Sequence, residues 1–93
     1  MPDVTIDRTV RISEDAVFRE LDGEAVILQL DAGVYYGLDS VGTRLWQLIV
    51  AHGQLGPVLE AALDEFDADR ETLERDLLQL VAELAARRLV VLE

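Results

Sequence analysis

The sequence predicts a small α+β domain in which a three-stranded antiparallel sheet precedes three helices and a short C-terminal strand. Three observations support this fold class. The 93 residues allow one compact domain, so residues 1–93 are treated as a single domain. Three runs rich in β-forming residues precede residue 39 and are separated by tight turns. After Leu38, the spacing of apolar residues changes from the period of a strand to that of a helix.

The sheet is predicted from two tight turns and the runs that flank them. Asp22 and Gly23 separate the runs 17–21 and 24–30. An Asp-Gly pair between such runs predicts a hairpin, because both turn positions need a positive φ. A second tight turn leads into a third strand over residues 34–38, which is rich in β-branched and aromatic residues. Strands that pair in sequence order leave this third strand at an edge of the sheet.

The first two helices are predicted from apolar spacing and from the residues at their ends. Asp39 or Ser40 caps the first helix, and Gly53 is placed to end it. The second helix opens near Gly56 and Pro57, because proline suits the first turn of a helix.

The third helix and the chain ends complete the predicted order of elements. Asp69 caps a long helix that runs to about Arg87. The apolar run 89–92 is expected to pair as a short strand, residues 10–13 form another candidate strand, and residues 1–9 are expected to form a loose arm. A sheet followed by three helices in this order is the arrangement of a winged helix-turn-helix domain.

Charge and composition argue against several classes of function. The chain has 19 acidic and 8 basic residues, for a net charge of -11, so nucleic acid and anionic membranes should be repelled. It has no cysteine and one histidine, and no cofactor or metal is expected. The carboxylates fall on turns, caps and polar helix faces and not in a cleft, so no enzymatic activity is expected. No signal peptide or membrane-spanning run is recognisable, so the expected location is the cytoplasm.

Two features of the sequence point to a binding groove. The predicted edge strand 34–38 contains no lysine, proline or inward charge to protect its unpaired backbone groups. On the third helix, a leucine stripe of ordinary width is extended to an apolar arc of about 180–200°. The stripe is Leu73, Leu77, Leu80 and Leu84, and the extension is Leu78, Val81, Ala82 and Ala85. Either this extension packs on the N-terminal arm or the C-terminal strand, or the helix and the edge strand form the two walls of a groove for an extended peptide.

Residues 26–46 carry a family resemblance in the run Val-Ile-Leu-Gln-Leu-Asp-Ala-Gly-Val-Tyr-Tyr-Gly-Leu-Asp-Ser-Val-Gly-Thr-Arg-Leu-Trp. This run resembles the PqqD family, the peptide chaperones of coenzyme PQQ biosynthesis, and the related recognition elements of ribosomally synthesised, modified peptides. The segment 33–38 is similar to stand-alone members that serve lasso-peptide leader peptidases. The later pattern is similar to the family's two C-terminal helices, so the resemblance covers residues 10–92.

The resemblance implies that the chain binds the leader segment of a precursor peptide as an added strand between the third strand and the third helix. A modifying enzyme or leader peptidase would then act on the peptide held there. The implied peptide-binding residues are Val34, Tyr35, Tyr36, Gly37 and Leu38 on the strand, and Leu73, Leu77, Leu78, Val81 and Ala85 on the helix.

Two other functions remain open from the residues alone. A winged helix more often reads DNA, although Arg75, Arg87 and Arg88 share the third helix and its end with several carboxylates. Alternatively, the apolar arc of the third helix forms a dimer interface. DNA binding at low salt and the size of the particle in solution distinguish these functions from peptide binding.

Overall fold

The computed structural model describes residues 4–93 and confirms the predicted α+β fold class. The strands and helices follow in the order expected for a winged helix-turn-helix domain. They are β1 (Val10–Ile12), β2 (Ala16–Leu21), β3 (Glu24–Gln29), β4 (Val34–Gly37), α1 (Ser40–His52), α2 (Leu55–Glu65), α3 (Arg70–Ala86) and β5 (Val90–Leu92). The predicted third strand is therefore β4, and the predicted third helix is α3.

Strands β2, β3 and β4 form an antiparallel sheet in sequence order. Its first turn has the predicted geometry, with φ of 54° at Asp22 and 79° at Gly23. β4 pairs with β3 through a register that places Tyr36 opposite Ile27. Since β4 is last in the sheet, its second side is left as an edge.

The helix ends follow from their capping groups. The Asp39 carboxylate accepts a hydrogen bond from the Gly42 backbone N–H at 2.8 Å, so Asp39 and not Ser40 caps α1. Asp69 accepts from the Thr72 N–H at 3.2 Å and caps α3 as predicted. α2 begins slightly earlier than predicted, at Leu55, and has no side-chain cap.

The two chain ends pair with each other. Residues 10–13 and 89–92 were each predicted as a short strand, and the structure pairs them as β1 and β5 in a two-stranded antiparallel sheet. The described part of the N-terminal arm is not loose, because Thr9 bridges to Gln54 and the Val10 N–H donates to the Gly53 carbonyl at 2.7 Å. Residues 1–3 of the predicted arm lie outside the described residues. Neither described chain end therefore pairs with β4.

The core lies between the inner face of the three-stranded sheet and the helices. It is formed by residues such as Ile27, Trp46, Leu59 and Leu77, each of which is fully buried. α3 packs on α2 and β5, and α1 packs on α2 and β3. Over residues 4–93, no helix combines the length and apolar character needed to cross a membrane.

Candidate functional site

The free edge of β4 offers backbone groups for another strand. The Leu38 N–H donates to the Ala25 carbonyl at 2.8 Å, which makes this pair a hydrogen-bonded one. Hydrogen-bonded and non-bonded pairs alternate along antiparallel strands, so Tyr35 and Gly37 direct their N–H and C=O groups away from β3. Within residues 4–93, no strand pairs with this side of β4. An extended peptide could therefore add to the sheet there.

Thr43 holds the end of β4 against the start of α1. Thr43 is 2 % exposed, and its Oγ1 accepts a hydrogen bond from the Ala25 N–H at 2.7 Å. The same hydroxyl donates to the Leu38 carbonyl at 3.4 Å. One buried side chain therefore joins β3, the residue after β4 and α1, and it orients the edge that faces the groove.

A cavity of about 290 Å³ lies between β4, the start of α1 and α3. Apolar side chains and two carboxylates line it together. The lining residues are Tyr36, Gly37, Leu38, Asp39, Val41, Gly42, Leu45, Asp76 and Leu80. From α3, Leu80 is half-buried, whereas Asp76 is exposed. The cavity can take a side chain whose apolar part reaches inward while its end stays near solvent and the carboxylates.

Tyr36 links β4 to α3 beside this cavity. Its hydroxyl donates a hydrogen bond to Glu83 Oε2 at 2.5 Å, and the Arg87 Cζ atom lies 4.6 Å from the centre of its ring. The hydrogen bond to the Glu83 carboxylate, followed by partial burial, raises the pKa of the Tyr36 phenol above its ordinary value. Tyr36 therefore stays neutral at physiological pH and acts here as a hydrogen-bond donor.

The residues that face β4 from α3 and from its C-cap, Arg87, form one stripe. Asp76, Leu80, Glu83 and Arg87 are spaced by four, three and four residues, so they fall within about 60° of one another on a helix of 3.6 residues per turn. This stripe is mostly polar, with Leu80 as its apolar member. The wall of the groove on α3 is therefore narrower and more charged than the sequence predicted.

The predicted residues of the β4 side lie where the sequence placed them. Val34, Tyr35, Tyr36 and Gly37 form β4 at the edge of the sheet, and Leu38 follows directly and is buried at the floor of the cavity.

The predicted residues of α3 do not lie on the stripe that borders the cavity. Leu73, Leu77 and Val81 are at most 4 % exposed and belong to the core. Leu78 and Ala85 are half-buried and pack against the core from the flank about 170° around the helix from the Asp76–Leu80 stripe. Within the predicted apolar extension, Leu78, Val81 and Ala85 thus contact the core and do not face β4.

Asp76, Glu83 and Arg87 lie beside β4 without having been predicted there, and Leu80 was predicted as a core residue. The available signal was the position of Leu80 at one margin of the leucine stripe, with these charged residues next to it on the helix. That signal does not say which margin of the stripe faces the sheet edge, because the packing of α3 on α2 and β5 decides it.

Comparison with known proteins gives a family and a fold. The family described as Coenzyme PQQ synthesis protein D (PqqD) matches residues 24–90. A solved structure of TbiB1 in complex with the TbiA(beta) leader peptide is similar, with a TM-score of 0.82 and 38 % identity, over 86 % of this chain and 93 % of that one. A lasso peptide synthetase B1 complexed with the leader peptide has the same fold, with a TM-score of 0.80 and 20 % identity, over 89 % of this chain and 98 % of that one. No curated protein matches the chain. Because the match spans most of the sequence, from β3 to β5, the chain belongs to the PqqD family.

Proposed function

We propose that this chain binds the leader segment of a ribosomally synthesised precursor peptide and presents it to a modifying enzyme or leader peptidase. The observation that carries the proposal is the free edge of β4, which faces α3 across an open cavity. The similar TbiB1 structure is a complex with a leader peptide, which supports the same role here. Residues 1–93 would act as one recognition domain.

In this proposal, the leader adds to the sheet as a strand beside β4. The N–H and C=O groups of Tyr35 and Gly37 would pair with its backbone, because these are the groups that point away from β3. Val34, Tyr36 and Leu38 alternate with them and turn their side chains toward the inner face of the sheet. Backbone pairing of this kind supplies affinity with little dependence on the peptide sequence.

Selectivity would come from peptide side chains that point toward α3. Every second residue of an added strand would face the cavity, where Leu38, Leu45 and Leu80 provide apolar contact. Asp39 and Asp76 stand at the cavity wall, so a side chain with an apolar stem and a neutral or basic end suits it best. The buried Leu73, Leu77 and Val81 would support α3 from within and not touch the peptide.

The same proposal assigns no catalytic step to the chain. Belonging to the PqqD family supports a binding role, and we infer that the chemistry belongs to the partner enzyme. The net charge of -11 favours a protein or peptide partner over nucleic acid or an anionic membrane. The expected setting is the cytoplasm, where precursor peptides are made. DNA reading and dimerisation through α3 are not favoured, since α3 uses its apolar stripe in the core.

The test is the affinity of the chain for two labelled leaders, the TbiA(beta) leader and the leader encoded beside this chain's own gene. Fluorescence anisotropy gives the affinity. Gly37→Pro removes an N–H that faces the edge and leaves the hydrogen bonds between β3 and β4 intact. The affinity for the leader should fall about tenfold or more, because one hydrogen bond is lost and the proline ring blocks the edge. Gly37→Ala is the matched control, since an added Cβ meets nothing within 4 Å.

Backbone NMR checks where the leader binds, and two results would contradict the proposal. With bound leader, backbone NMR shifts should cluster on residues 33–38 and on the Asp76–Arg87 stripe of α3. Binding of neither leader to the wild-type chain would refute the proposed function. Binding that is equally strong for Gly37→Pro and Gly37→Ala, both with native circular dichroism spectra, would show that the peptide does not pair with β4.

A further inference from the structure

The outer face of the three-stranded sheet is an exposed apolar surface. It is defined here by its outward apolar side chains, which are Val17, Leu21, Val26, Leu28 and Tyr35. The register places Val17, Leu28 and Tyr35 in one row across all three strands. Leu21 is 65 % exposed and Tyr35 is 75 % exposed. A shallow depression of about 470 Å³ lies over the β2 and β3 part of this face.

An apolar outer face is unusual for a sheet that packs against helices on one side and faces solvent on the other. The outward positions of an isolated antiparallel sheet are commonly polar, but here the charged side chains are only Arg19, in the middle row on β2, and Glu24 at one end. Arg19 lies opposite Val26, and Glu24 lies opposite Leu21 beside the acidic turn residue Asp22. Contiguous exposed apolar surface with a polar rim marks an interaction site.

The outer sheet face is continuous with the edge where the leader is proposed to bind. Tyr35 belongs to both, since its side chain lies on the face and its backbone groups point to the free edge. A strand added beside β4 would extend the row of Val17, Leu28 and Tyr35 by one peptide side chain. A protein that docks on this face would therefore contact the chain and the bound peptide together.

Charge distinguishes the possible occupants of the face. Two copies of this chain would each bring a net charge of -11, and the acidic end formed by Asp22 and Glu24 opposes a second copy. We propose that the outer sheet face docks the enzyme that modifies the bound peptide, through an apolar patch on that enzyme with a basic rim. This inference rests on the proposed function, because it takes the peptide to lie beside β4.

The test compares two valine-to-lysine variants of matched exposure. Val26→Lys places a cation in the outer sheet face, where valine is 40 % exposed, and Val50→Lys does the same on α1, where valine is 45 % exposed. The probes are the purified peptide-modifying enzymes encoded beside this chain's gene, with the labelled leader bound. Val26→Lys should weaken enzyme binding and slow peptide modification at least tenfold, whereas Val50→Lys should change both less than twofold. Leader affinity should stay within twofold of wild type for both variants.

The possible results separate this inference from the proposed function. Failure of the wild-type chain to bind any leader refutes the proposed function and this inference with it. Normal leader binding with unchanged enzyme binding in a folded Val26→Lys chain refutes only the docking surface. Light scattering could show that the wild-type chain is a dimer and that Val26→Lys dissociates it. This result would assign the face to a second copy and would also overturn the inference. Thermal unfolding confirms that both variants are folded.

Discussion

Replacing Thr43 with valine tests how the site is held in place. Valine keeps the shape of threonine but removes the hydroxyl that accepts from the Ala25 N–H at 2.7 Å. Ala25 is fully buried, so its N–H would lose its partner without reaching water. Leaving a buried donor unpaired costs about 1–3 kcal/mol of unfolding free energy, a substantial part of the roughly 5–15 kcal/mol that stabilises a typical domain.

The assay is thermal and urea unfolding followed by circular dichroism. For a domain of this size, a loss of about 1–3 kcal/mol lowers Tm by roughly 4–24 °C. Thr43→Ser is the matched control, because it keeps the hydroxyl and loses only a methyl group, worth about 1 kcal/mol. Hydrogen exchange at the Ala25 amide gives an independent check, since it should become faster in Thr43→Val and stay slow in Thr43→Ser.

The reasoning expects Thr43→Val to be less stable than Thr43→Ser, and the reverse order would contradict it. If burial of apolar area dominated at this position, valine would be as stable as threonine, and serine would be the weakest of the three. A Thr43→Val chain within about 0.5 kcal/mol of wild type, the usual range for a neutral surface change, would show that the hydroxyl does not hold β3, β4 and α1 together.

Three further predictions concern titration and the ends of α3. Because the pKa of Tyr36 is raised, its hydrogen bond stabilises the fold below pH 10, and this stabilisation is lost as pH rises through the folded-state pKa. An absorbance titration should show a tyrosine that ionises above its ordinary pKa, and Tyr36→Phe should remove this step. The pKa of Asp69 is lowered by its hydrogen bonds with Thr72, so its stabilisation is present above the ordinary aspartate pKa and is lost as pH falls through the folded-state pKa. Asp69→Asn keeps a good cap and should flatten this acid limb of the stability curve. Arg88 has a φ of 58°, which strains a residue that carries a Cβ. Arg88→Gly should therefore raise the unfolding free energy by about 1 kcal/mol, reduced slightly because the exposed ion pair with Asp31 is lost. Unchanged or lower stability in urea would count against the strain.

The strand side of the groove was predictable because it depends on local signals. The Asp22-Gly23 turn, the second tight turn and the β-forming run that follows determine a meander, and a meander ends in an edge. The lack of lysine, proline or inward charge in β4 then marked that edge as open. The structure confirms the position of β4 in the sheet.

The helix side was not predictable from spacing. Periodicity correctly identified Leu73, Leu77 and Leu84 as core residues, but the core stripe has two margins that look equivalent in sequence. The apolar margin with Leu78 and Ala85 was expected to face the groove, and it packs against the core. The charged margin faces β4 instead, and its contacts join residues far apart in the chain, such as Tyr36 and Glu83.

The sequence by itself determined the strands, the helices and their caps, the open β edge and the acidic character of the chain, because each depends on residues a few positions apart or on simple composition. Only the tertiary structure decided which flank of α3 lies opposite β4, how Thr43 ties the strands to α1, and that the outer sheet face remains exposed. These features depend on how α3 rotates as it packs on α2 and β5, and that rotation is set by the combined packing of distant side chains.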